Sequence, residues 1–473
     1  MKTIKSLLLL LFVTLSMQSK AQSYNSYYQQ LPVGVAQPKM VTIPNNQVSI
    51  TEFGGVGDGI TLNTEAFRKA ISALTKKGGG RLVVPFGVWL TGPIAMKSNI
   101  ELRVEKNAII YFSPDKTLYV GKEGKSKRVD PCIKASNAHD IAITGEGIID
   151  GNGAMWRPVK RSKVSDVEWK QFLEMGGVER KNGQLWYPWD MKAAKTNIAE
   201  APEKQEGMRN DLVRFTNCER LLFSGVTFQN SPRFHVHPVN CTDIVMDGIT
   251  VRCPWNAQNG DAIDLSDCHR ALIVNSTVDA GDDGLCMKSG KAKENVKANG
   301  CEDILIENNT VYHAHGGFVI GSEDISGMRR IVVRNCRFAG TDVGLRFKSG
   351  IGRGGKTEDI YISNIVMSDI AQQAIIFQCD YENRPAGADE TKKPVVKKME
   401  MIPEFQGINI SEVVCRGAKT GISAHGISGQ RCVHNIQISN SHIVYTKTAT
   451  DIDPATADVK LTNVNLVSVI NNQ

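Results

Sequence analysis

A short phrase that recurs along the chain constrains its fold more than any other feature of the sequence. The phrase reads apolar, any residue, apolar, any residue, Gly or Asn (once Glu), and then apolar again. It begins at Leu221, Ile244, Ala271, Ile304, Ile331, Ile360, Ile408 and Ile436, at intervals of 23, 27, 33, 27, 29, 48 and 28 residues. Alternation with a period of two predicts a strand, and the central Gly or Asn predicts a tight bend between two short strands.

Repetition of one strand–bend–strand unit, without helices between the repeats, is typical of a solenoid. We therefore predict an all-β fold, a right-handed parallel β-helix in which each repeat is one coil. The length alone would suggest two or three domains, but the repeat favours one domain over residues 22–473. The longest interval, between Ile360 and Ile408, predicts an inserted loop.

An amphipathic segment near the start of this domain is suited to covering the first coil. Residues 63–74 open with Asn63 and Thr64, which are candidates for a helix N-cap. Their apolar stripe consists of Ala66, Phe67, Ala70, Ile71 and Leu74. A helix with such a stripe would shield the exposed end of a solenoid. The upstream "GGVGDG" lacks the Lys-Ser/Thr of a phosphate loop and is predicted to be a turn.

Residues 156–210 interrupt the repeat with a charged insertion rich in aromatic residues. The insertion contains Trp156, Trp169, Trp186, Tyr187 and Trp189. Such side chains form a small hydrophobic core of their own, or they stack on sugar rings in a substrate pocket. The sequence leaves both interpretations open.

The first 21 residues have the pattern of a secretory signal peptide. Lys2 and Lys5 precede a mostly apolar run over residues 7–15, and Ser19-Lys20-Ala21 fits a small-x-small cleavage site. The apolar run is too short to cross a bilayer, and no later run is long enough. We expect export to the periplasm or the extracellular space.

Charge and cysteine content exclude some classes of partner. Cleavage of the signal would leave 53 basic and 49 acidic side chains, a net charge of +4. That excess is too small to indicate a nucleic-acid partner, and it is compatible with an anionic substrate. The 11 cysteines are spread evenly and lack zinc-binding spacing. We predict that most are small buried hydrophobic residues, and the odd number leaves at least one free thiol.

Polar residues also recur at the spacing of one coil. Asp261 precedes Asp283 by 22 positions, His315 follows Asp283 by 32, Arg346 follows His315 by 31, and Lys348 precedes Tyr381 by 33. Residues one coil apart in a β-helix lie about 4.8 Å apart. The spacing therefore predicts that three carboxylates (with Asp282), one imidazole and two cations converge on one outer face.

Each of these residues also has an ordinary structural explanation. Adjacent aspartates such as Asp282 and Asp283 often stabilise turns. A lone histidine beside glycines, such as His315, is more often structural than catalytic. Arg346 and Lys348 flank one apolar residue on a strand, so both would point to the same solvated face. Only the shared coil spacing favours a functional site.

With these motifs the chain resembles the polygalacturonase-type glycoside hydrolases of family 28, which are pectin-degrading β-helix enzymes. The family motifs Asn-Thr-Asp, Gly-x-Asp-Asp, Gly-His-Gly and Arg-Ile-Lys, with a later Tyr, read here as "NGD", "AGDD", "AHG", "RFK" and Tyr381. The departures are Gly260, Ala314 and Phe347, and none removes a functional group assigned to catalysis. The resemblance covers nearly the whole mature chain. The insertion and the extended segment 288–300 are similar to bacterial members that trim chain ends.

The resemblance implies a catalytic role for four residues. Asp282 matches the general acid that protonates the leaving oxygen, and Asp261 and Asp283 match the pair that holds the attacking water. Inversion follows, because a water must fit between acid and base. We expect mutual repulsion to raise one carboxyl pKa and keep the acid protonated. His315 resembles the residue that tunes this cluster.

Four further residues match the substrate-binding positions of the family. Arg346 and Lys348 resemble the cations that hold a galacturonate carboxylate through charge-assisted hydrogen bonds. Tyr381 resembles the aromatic residue beside the scissile sugar, and Asn259 is the first residue of the "NGD" motif.

The expected function is hydrolysis of α-1,4-galacturonosyl linkages in pectic polysaccharide or oligogalacturonides by a monomer, without a metal or other cofactor. Long insertions on a cleft rim tend to close a groove into a pocket, which favours exo action. Endo action and rhamnogalacturonan hydrolysis are alternatives, although "RFK" favours cleavage between galacturonates. Two further alternatives are a pectate lyase, with Ca²⁺ held by the carboxylates, and a non-catalytic glycan-binding β-helix.

Overall fold

The computed structural model describes residues 24–120, 129–180, 183–188, 209–290, 300–382 and 401–469. The predicted signal peptide and Trp189 lie outside these residues. So does most of the loop predicted between Ile360 and Ile408. Among the described helices, none combines the length and apolarity needed to cross a bilayer.

A single 29-stranded sheet runs through the described residues, and its strands pair in parallel in three columns. Column A consists of β1 (Gln47–Ser49), β2 (Gly80–Val84), β5 (Ile100–Val104), β8 (His139–Gly145), β14 (Glu219–Ser224), β17 (Thr242–Asp247), β20 (His269–Val274), β23 (Cys301–Glu307), β26 (Met328–Ala339), β28 (Lys356–Ser368), β30 (Glu404–His425), β31 (Val433–Ile452) and β32 (Ala457–Ser468). Column B consists of β3 (Gly87–Thr91), β6 (Ala108–Phe112), β9 (Ile148–Asp150), β15 (Thr227–Gln229), β18 (Thr250–Arg252), β21 (Thr277–Asp279) and β24 (Thr310–Tyr312), and it continues in the later halves of the long strands from β26 onward.

Column C carries the side chains of the candidate site. It consists of β4 (Ile94–Ala95), β7 (Ile133–Ser136), β13 (Val213–Thr216), β16 (Val236–Val239), β19 (Ile263–Ser266), β22 (Asp283–Ser289), β25 (Gly316–Asp324), β27 (Leu345–Lys348) and β29 (Ile370–Gln378). The predicted right-handed parallel β-helix is confirmed.

The register of column A confirms the repeat read from the sequence. The first residue of each phrase pairs with the first residue of the next, from Leu221 with Ile244 through to Ile408 with Ile436. Every central Gly, Asn or Glu has a positive φ, between 49° and 76°. Gly and Asn tolerate this left-handed conformation best, so the predicted bend has a steric reason. Asn308 also donates to Asn275 at 2.7 Å, which links adjacent coils.

The cap is present, with one correction at its start. Helix α1 (Thr64–Lys76) buries all five residues of the predicted stripe against the first coil. Asn63 occupies the N-cap position, but its side chain makes no capping bond. Instead it accepts from Val56 N at 2.7 Å and donates to Thr61 O at 2.7 Å. It therefore holds the predicted glycine-rich turn, in which Gly54 and Gly59 have φ of 81° and 77°.

The described tryptophans of the insertion pack in two places, the main core and a small core of the insertion's own. Trp156 is fully buried, and its ring meets that of Tyr119 edge-on at 4.9 Å. Trp169 and Trp186 form a separate small core with Val159 and Val164. This core is built on α2 (Asp166–Glu174) and an antiparallel sheet of β10 (Val159–Lys160), β11 (Val178–Arg180) and β12 (Leu185–Tyr187). These tryptophans are core residues rather than sugar platforms.

A feature that the sequence did not reveal is an N-terminal strap, residues 24–44, which begins with a helical turn over residues 24–27. It covers an apolar patch on the outer face of column A that includes Val245, Leu272, Leu305 and Val332. The inner faces of all coils form one continuous core. All 11 cysteines are buried and free, which confirms the prediction that they serve as small hydrophobic residues.

Candidate active site

The three carboxylates and the histidine lie at the starts of consecutive coils in column C. Ala262 N donates to Asp283 O at 3.0 Å, and His315 N donates to Asp282 O at 2.8 Å. These bonds place Asp261, the aspartate pair and His315 one above the next, as the coil spacing predicts. Gly281 lets the backbone approach closely here, because a Cβ would lie 2.6 Å from Pro254 O.

The two predicted cations lie further along their strand and reach back to the acids. Arg346 is in register with Val319 of β25 rather than with the start of that strand. Lys348 Nζ nevertheless donates to Asp283 Oδ2 at 2.8 Å, and Arg346 Nη1 lies 3.6 Å from Asp283 Oδ1. Only 6% of the Lys348 side chain is exposed. Neither cation is therefore an ordinary surface charge.

Phe347, between these cations, faces the core. Its ring stacks on Phe377 at 4.4 Å with an interplanar angle of 8°. The departure from the family's Ile is thus a packing difference inside the coil. It leaves both cations on the outer face.

His315 is held between an acid and a lysine. Its Nδ1 lies 2.8 Å from Asp282 Oδ1, and its Nε2 lies 3.1 Å from Lys163 Nζ. An ammonium group has donors only, so Nε2 must accept, and the ring proton lies on Nδ1 and points to Asp282. Lys163 also donates to Gly281 O at 3.1 Å. The sequence offered no signal for Lys163, which is one of many charges in the insertion.

Tyr381 lies beside the two predicted cations, and Asn259 is held by an arginine. The Tyr381 ring lies 5.3 Å from Lys348 Nζ and 5.7 Å from the guanidinium carbon of Arg346, within the range of cation–π contacts. Asn259 has a φ of 51°, and its Oδ1 accepts from Arg209 Nη2 at 2.9 Å. Arg209 therefore orients this amide, which the sequence did not predict.

A cleft of about 560 Å³ opens beside these groups. Its lining includes His315, Asp342, Arg346, Tyr381 and His425. The predicted catalytic histidine and one predicted substrate-binding cation thus share one solvent-accessible cavity.

The three carboxyls differ in how they hold a proton. Burial, followed by the charges of Asp264 and Asp282, raises the pKa of Asp261 well above its usual range. Burial also acts on Asp282, but His315 and Lys348 outweigh it and lower its pKa. Lys348 likewise outweighs burial and lowers the pKa of Asp283. One carboxyl pKa is raised, as expected, but in the unliganded site it belongs to Asp261.

Ligand atoms of Asp282, Asp283 and His315 lie within 4.8 Å of one another, as a metal site would require. The ammonium groups of Lys348 and Lys163, however, already bond to Asp283 and His315. Because lysine ammonium groups already neutralise charge in this cluster, the arrangement favours acid–base chemistry on an anionic substrate over binding of Ca²⁺.

Comparison with known proteins links this geometry to one enzyme family. The model of glycosyl hydrolases family 28 matches residues 171–401. A probable polygalacturonase of Vitis vinifera is 28% identical over 83% of this chain and 74% of its own length. An exo-poly-alpha-D-galacturonosidase of Dickeya chrysanthemi is 27% identical over 82% of this chain, which spans 65% of that relative.

A solved structure agrees with these sequence matches. The exopolygalacturonase of Thermotoga maritima is 28% identical and superposes with a TM-score of 0.74, covering 91% of this chain and 94% of its own. Matching relatives include both exo- and endo-polygalacturonases.

Proposed function

This chain belongs to glycosyl hydrolases family 28, and we propose that it cleaves α-1,4 linkages between galacturonate units of pectic chains, from the chain end and with inversion. The observation that best supports this proposal is the contact of Lys348 and Arg346 with Asp283, beside the Asp282–His315 pair. Cations that can take a sugar carboxylate thus lie against carboxylates that can perform acid–base catalysis.

The proposed roles are those that the family resemblance implies. Asp282 protonates the leaving glycosidic oxygen, and Asp261 and Asp283 hold the water that attacks from the opposite face. The cluster needs one proton for this reaction, and in the free site Asp261 holds it most strongly. Because the three carboxyls interact, their pKa values belong to the cluster as a whole. The proton can therefore move from one carboxyl to another when substrate binds.

The anionic substrate itself provides the reason for that redistribution. Lys348 is among the groups that keep Asp282 and Asp283 ionised in the free site. A galacturonate carboxylate bound to Lys348 and Arg346 compensates their charge and raises the pKa of Asp282. Binding of the correct substrate thereby favours protonation of the acid.

Exo action is supported by the contact between the insertion and the residues of the candidate site. Lys163, in the inserted segment, contacts both Gly281 O and His315 Nε2. The insertion therefore forms a wall against the acids, and a wall at that position closes an open groove into a pocket. The Thermotoga and Dickeya relatives named above are exo-acting enzymes, which is consistent with this proposal.

We further propose that residues 22–473 act as one catalytic domain and as a monomer, exported after removal of residues 1–21. The pattern of the first 21 residues supports export.

Product analysis on polygalacturonic acid over time tests the function. Early release of monomer, with little loss of viscosity, is the expected result. An early ladder of oligomers with rapid viscosity loss would exclude exo action. Proton NMR of the first products should show the β-anomer, because inversion acts on an α-linkage. An unsaturated, ultraviolet-absorbing product that disappears with a chelator would identify a lyase instead.

Asp282→Asn tests whether the chain is a catalyst at all. Loss of the general acid should reduce kcat by about 10²–10⁴-fold. Circular dichroism and melting temperature should show an intact fold. If the wild type does not hydrolyse the glycan, and the wild type and the variant bind it equally well, the non-catalytic alternative is supported.

A further inference from the structure

A second charged pair lies below the three carboxylates, on the same strands. Asp264 lies on β19, three residues after Asp261, which precedes that strand. The side chain of Asp264 is fully buried. Lys288 lies on the neighbouring strand β22, opposite Ser266, with 11% of its side chain exposed. Neither residue belongs to the motifs recognised in the sequence.

Lys288 is shared between two buried acids. Its Nζ lies 3.5 Å from Asp264 Oδ1 and 3.7 Å from Asp261 Oδ2. A third carboxylate, that of Glu323, lies 3.7 Å away and is half-exposed. Lys288 also donates to Gly321 O at 3.3 Å, which fixes the direction of its head group. One ammonium group thus divides its charge between Asp264 and a proposed catalytic residue.

Asp264 depends on this lysine for its charge. Among the described residues, neither of its carboxylate oxygens receives an N–H or O–H hydrogen bond. The weak donor Cys286 lies opposite it on β22. An ionised carboxylate without a partner is very costly in such surroundings. Burial raises the pKa of Asp264, and Lys288 opposes that shift.

We propose that Asp264 and Lys288 are positioning residues that set how tightly the Asp261–Asp264 pair holds its last proton. The negative charge of Asp264 disfavours ionisation of Asp261, and the positive charge of Lys288 favours it. This role rests on the proposed hydrolase function, in which the cluster must carry one proton. Side chains of β19 and β22 beside the reacting groups thus help to set the charge of those groups.

Other charged or titratable groups face the pair from neighbouring strands and loops. They are Asp282, Asp283, His237, Cys253, Cys286, Glu323 and Lys348. Single changes at Asp264 and Lys288 leave all of these in place. A difference between the two variants therefore reports on the pair itself.

The test is the pH dependence of kcat/KM for Asp264→Asn and Lys288→Met on polygalacturonate. In Asp264→Asn, Asp261 loses a like-charged neighbour and no longer shares Lys288 with a second buried carboxylate, so the basic limb should move to lower pH by about 1 unit. In Lys288→Met, two buried carboxyls lose their cation, so the last proton is held to higher pH. The basic limb should then move by about 1 unit in the opposite direction. The double variant should return the limb toward that of the wild type.

A merely structural role would lower activity without opposite shifts, and shifts of the same sign or none would overturn the proposal. Asp303→Asn is the matched control, because Asp303 is a buried carboxylate paired with Arg330 at 2.8 Å on column A. It should leave both limbs unchanged.

Infrared absorbance of protonated carboxyl groups, followed against pH, decides the proposal even for inactive variants. Asp261→Asn identifies the band. The band should titrate lower in Asp264→Asn and higher in Lys288→Met than in the wild type. A wild type that does not hydrolyse polygalacturonate would refute the proposed function, whereas unshifted bands would refute the role of this pair.

Discussion

At the scale of single residues, the site depends on which partner each ionisable group has. His315 is oriented by a lysine on one side and an acid on the other. Lys163 bonds to His315 and to Gly281 O, so it is a positioning residue rather than a catalytic one. Its contribution is to keep Nε2 as an acceptor and direct the ring N–H to Asp282.

Lys163→Met tests that contribution. The variant removes two charge-assisted hydrogen bonds, to His315 and to Gly281 O, and each such bond contributes about 1.5–3 kcal/mol. We expect kcat on polygalacturonate to fall by about 10–100-fold, with little change in melting temperature. Loss of the Lys163 contact should lower kcat with KM little changed, whereas a merely structural role would lower the melting temperature as well.

Lys170→Met is the control for this prediction. Lys170 lies in the same insertion, is largely exposed and pairs only loosely with Glu174, at 3.8 Å. Its loss should leave activity unchanged. Equal losses from both lysine variants would contradict the assignment of Lys163.

At the scale of elements, the N-terminal strap is matched to the repeat of the coils. Asp140, Asp243 and Asp303 lie on alternate coils of column A, each with a positive φ. Their carboxylates accept from the backbone N–H groups of residues 42, 39 and 36, at 2.9, 2.9 and 3.2 Å. Three residues of an extended polyproline-type chain advance about 9.3 Å. Two strand spacings are about 9.6 Å. The strap and the coils therefore stay in step.

Arginines on the intervening coils complete this ladder. Arg220 bonds to Asp140 at 2.7 Å, Arg270 to Asp243 at 2.7 Å, and Arg330 to Asp303 at 2.8 Å. An alternation of acid and base directly before the first six repeat phrases is visible in the sequence. What the sequence did not reveal is that a distant segment supplies further donors.

Lys39→Pro tests the fit of the strap. Proline suits an extended backbone, so the principal loss is the N–H that bonds to Asp243. The carboxylate keeps its bonds to Arg270, so the loss is one hydrogen bond to a charged acceptor, which should cost about 1.5–3 kcal/mol of unfolding free energy. Thermal melting is the measurement. Val41→Pro is the control, because among the described residues its N–H makes no hydrogen bond. Equal melting temperatures for both variants would contradict this account.

At the scale of the whole molecule, the coils form one continuous apolar core that also holds the cysteines. Burial raises the pKa of most of these thiols, for example to about 12 for Cys301 and Cys336. A thiol must be ionised and accessible to react. The fold therefore protects its thiols without pairing them.

Titration with a thiol reagent tests that conclusion. We expect almost no reaction in the native protein and 11 reactive thiols after denaturation without a reductant. Addition of a reductant should leave the melting temperature unchanged. Fewer reactive thiols after denaturation would show that disulfides form in this protein.

The sequence by itself determined the architecture, because a β-helix is a local repeat. Each phrase specifies its own strands and its own left-handed bend, and stacking in register follows from the spacing. The pairings from Leu221 to Ile436 agree with the sequence for this reason. The same spacing brought together Asp261, the aspartate pair and His315.

Only the tertiary structure decided the partners that these residues meet. Lys163 comes from an insertion with no repeat, the strap comes from the N-terminus, and the Asp264–Lys288 pair joins adjacent coils. Which carboxyl retains a proton depends on burial and on charges a few ångströms away. These are properties of distance in the folded chain, and the order of residues along the sequence does not contain them.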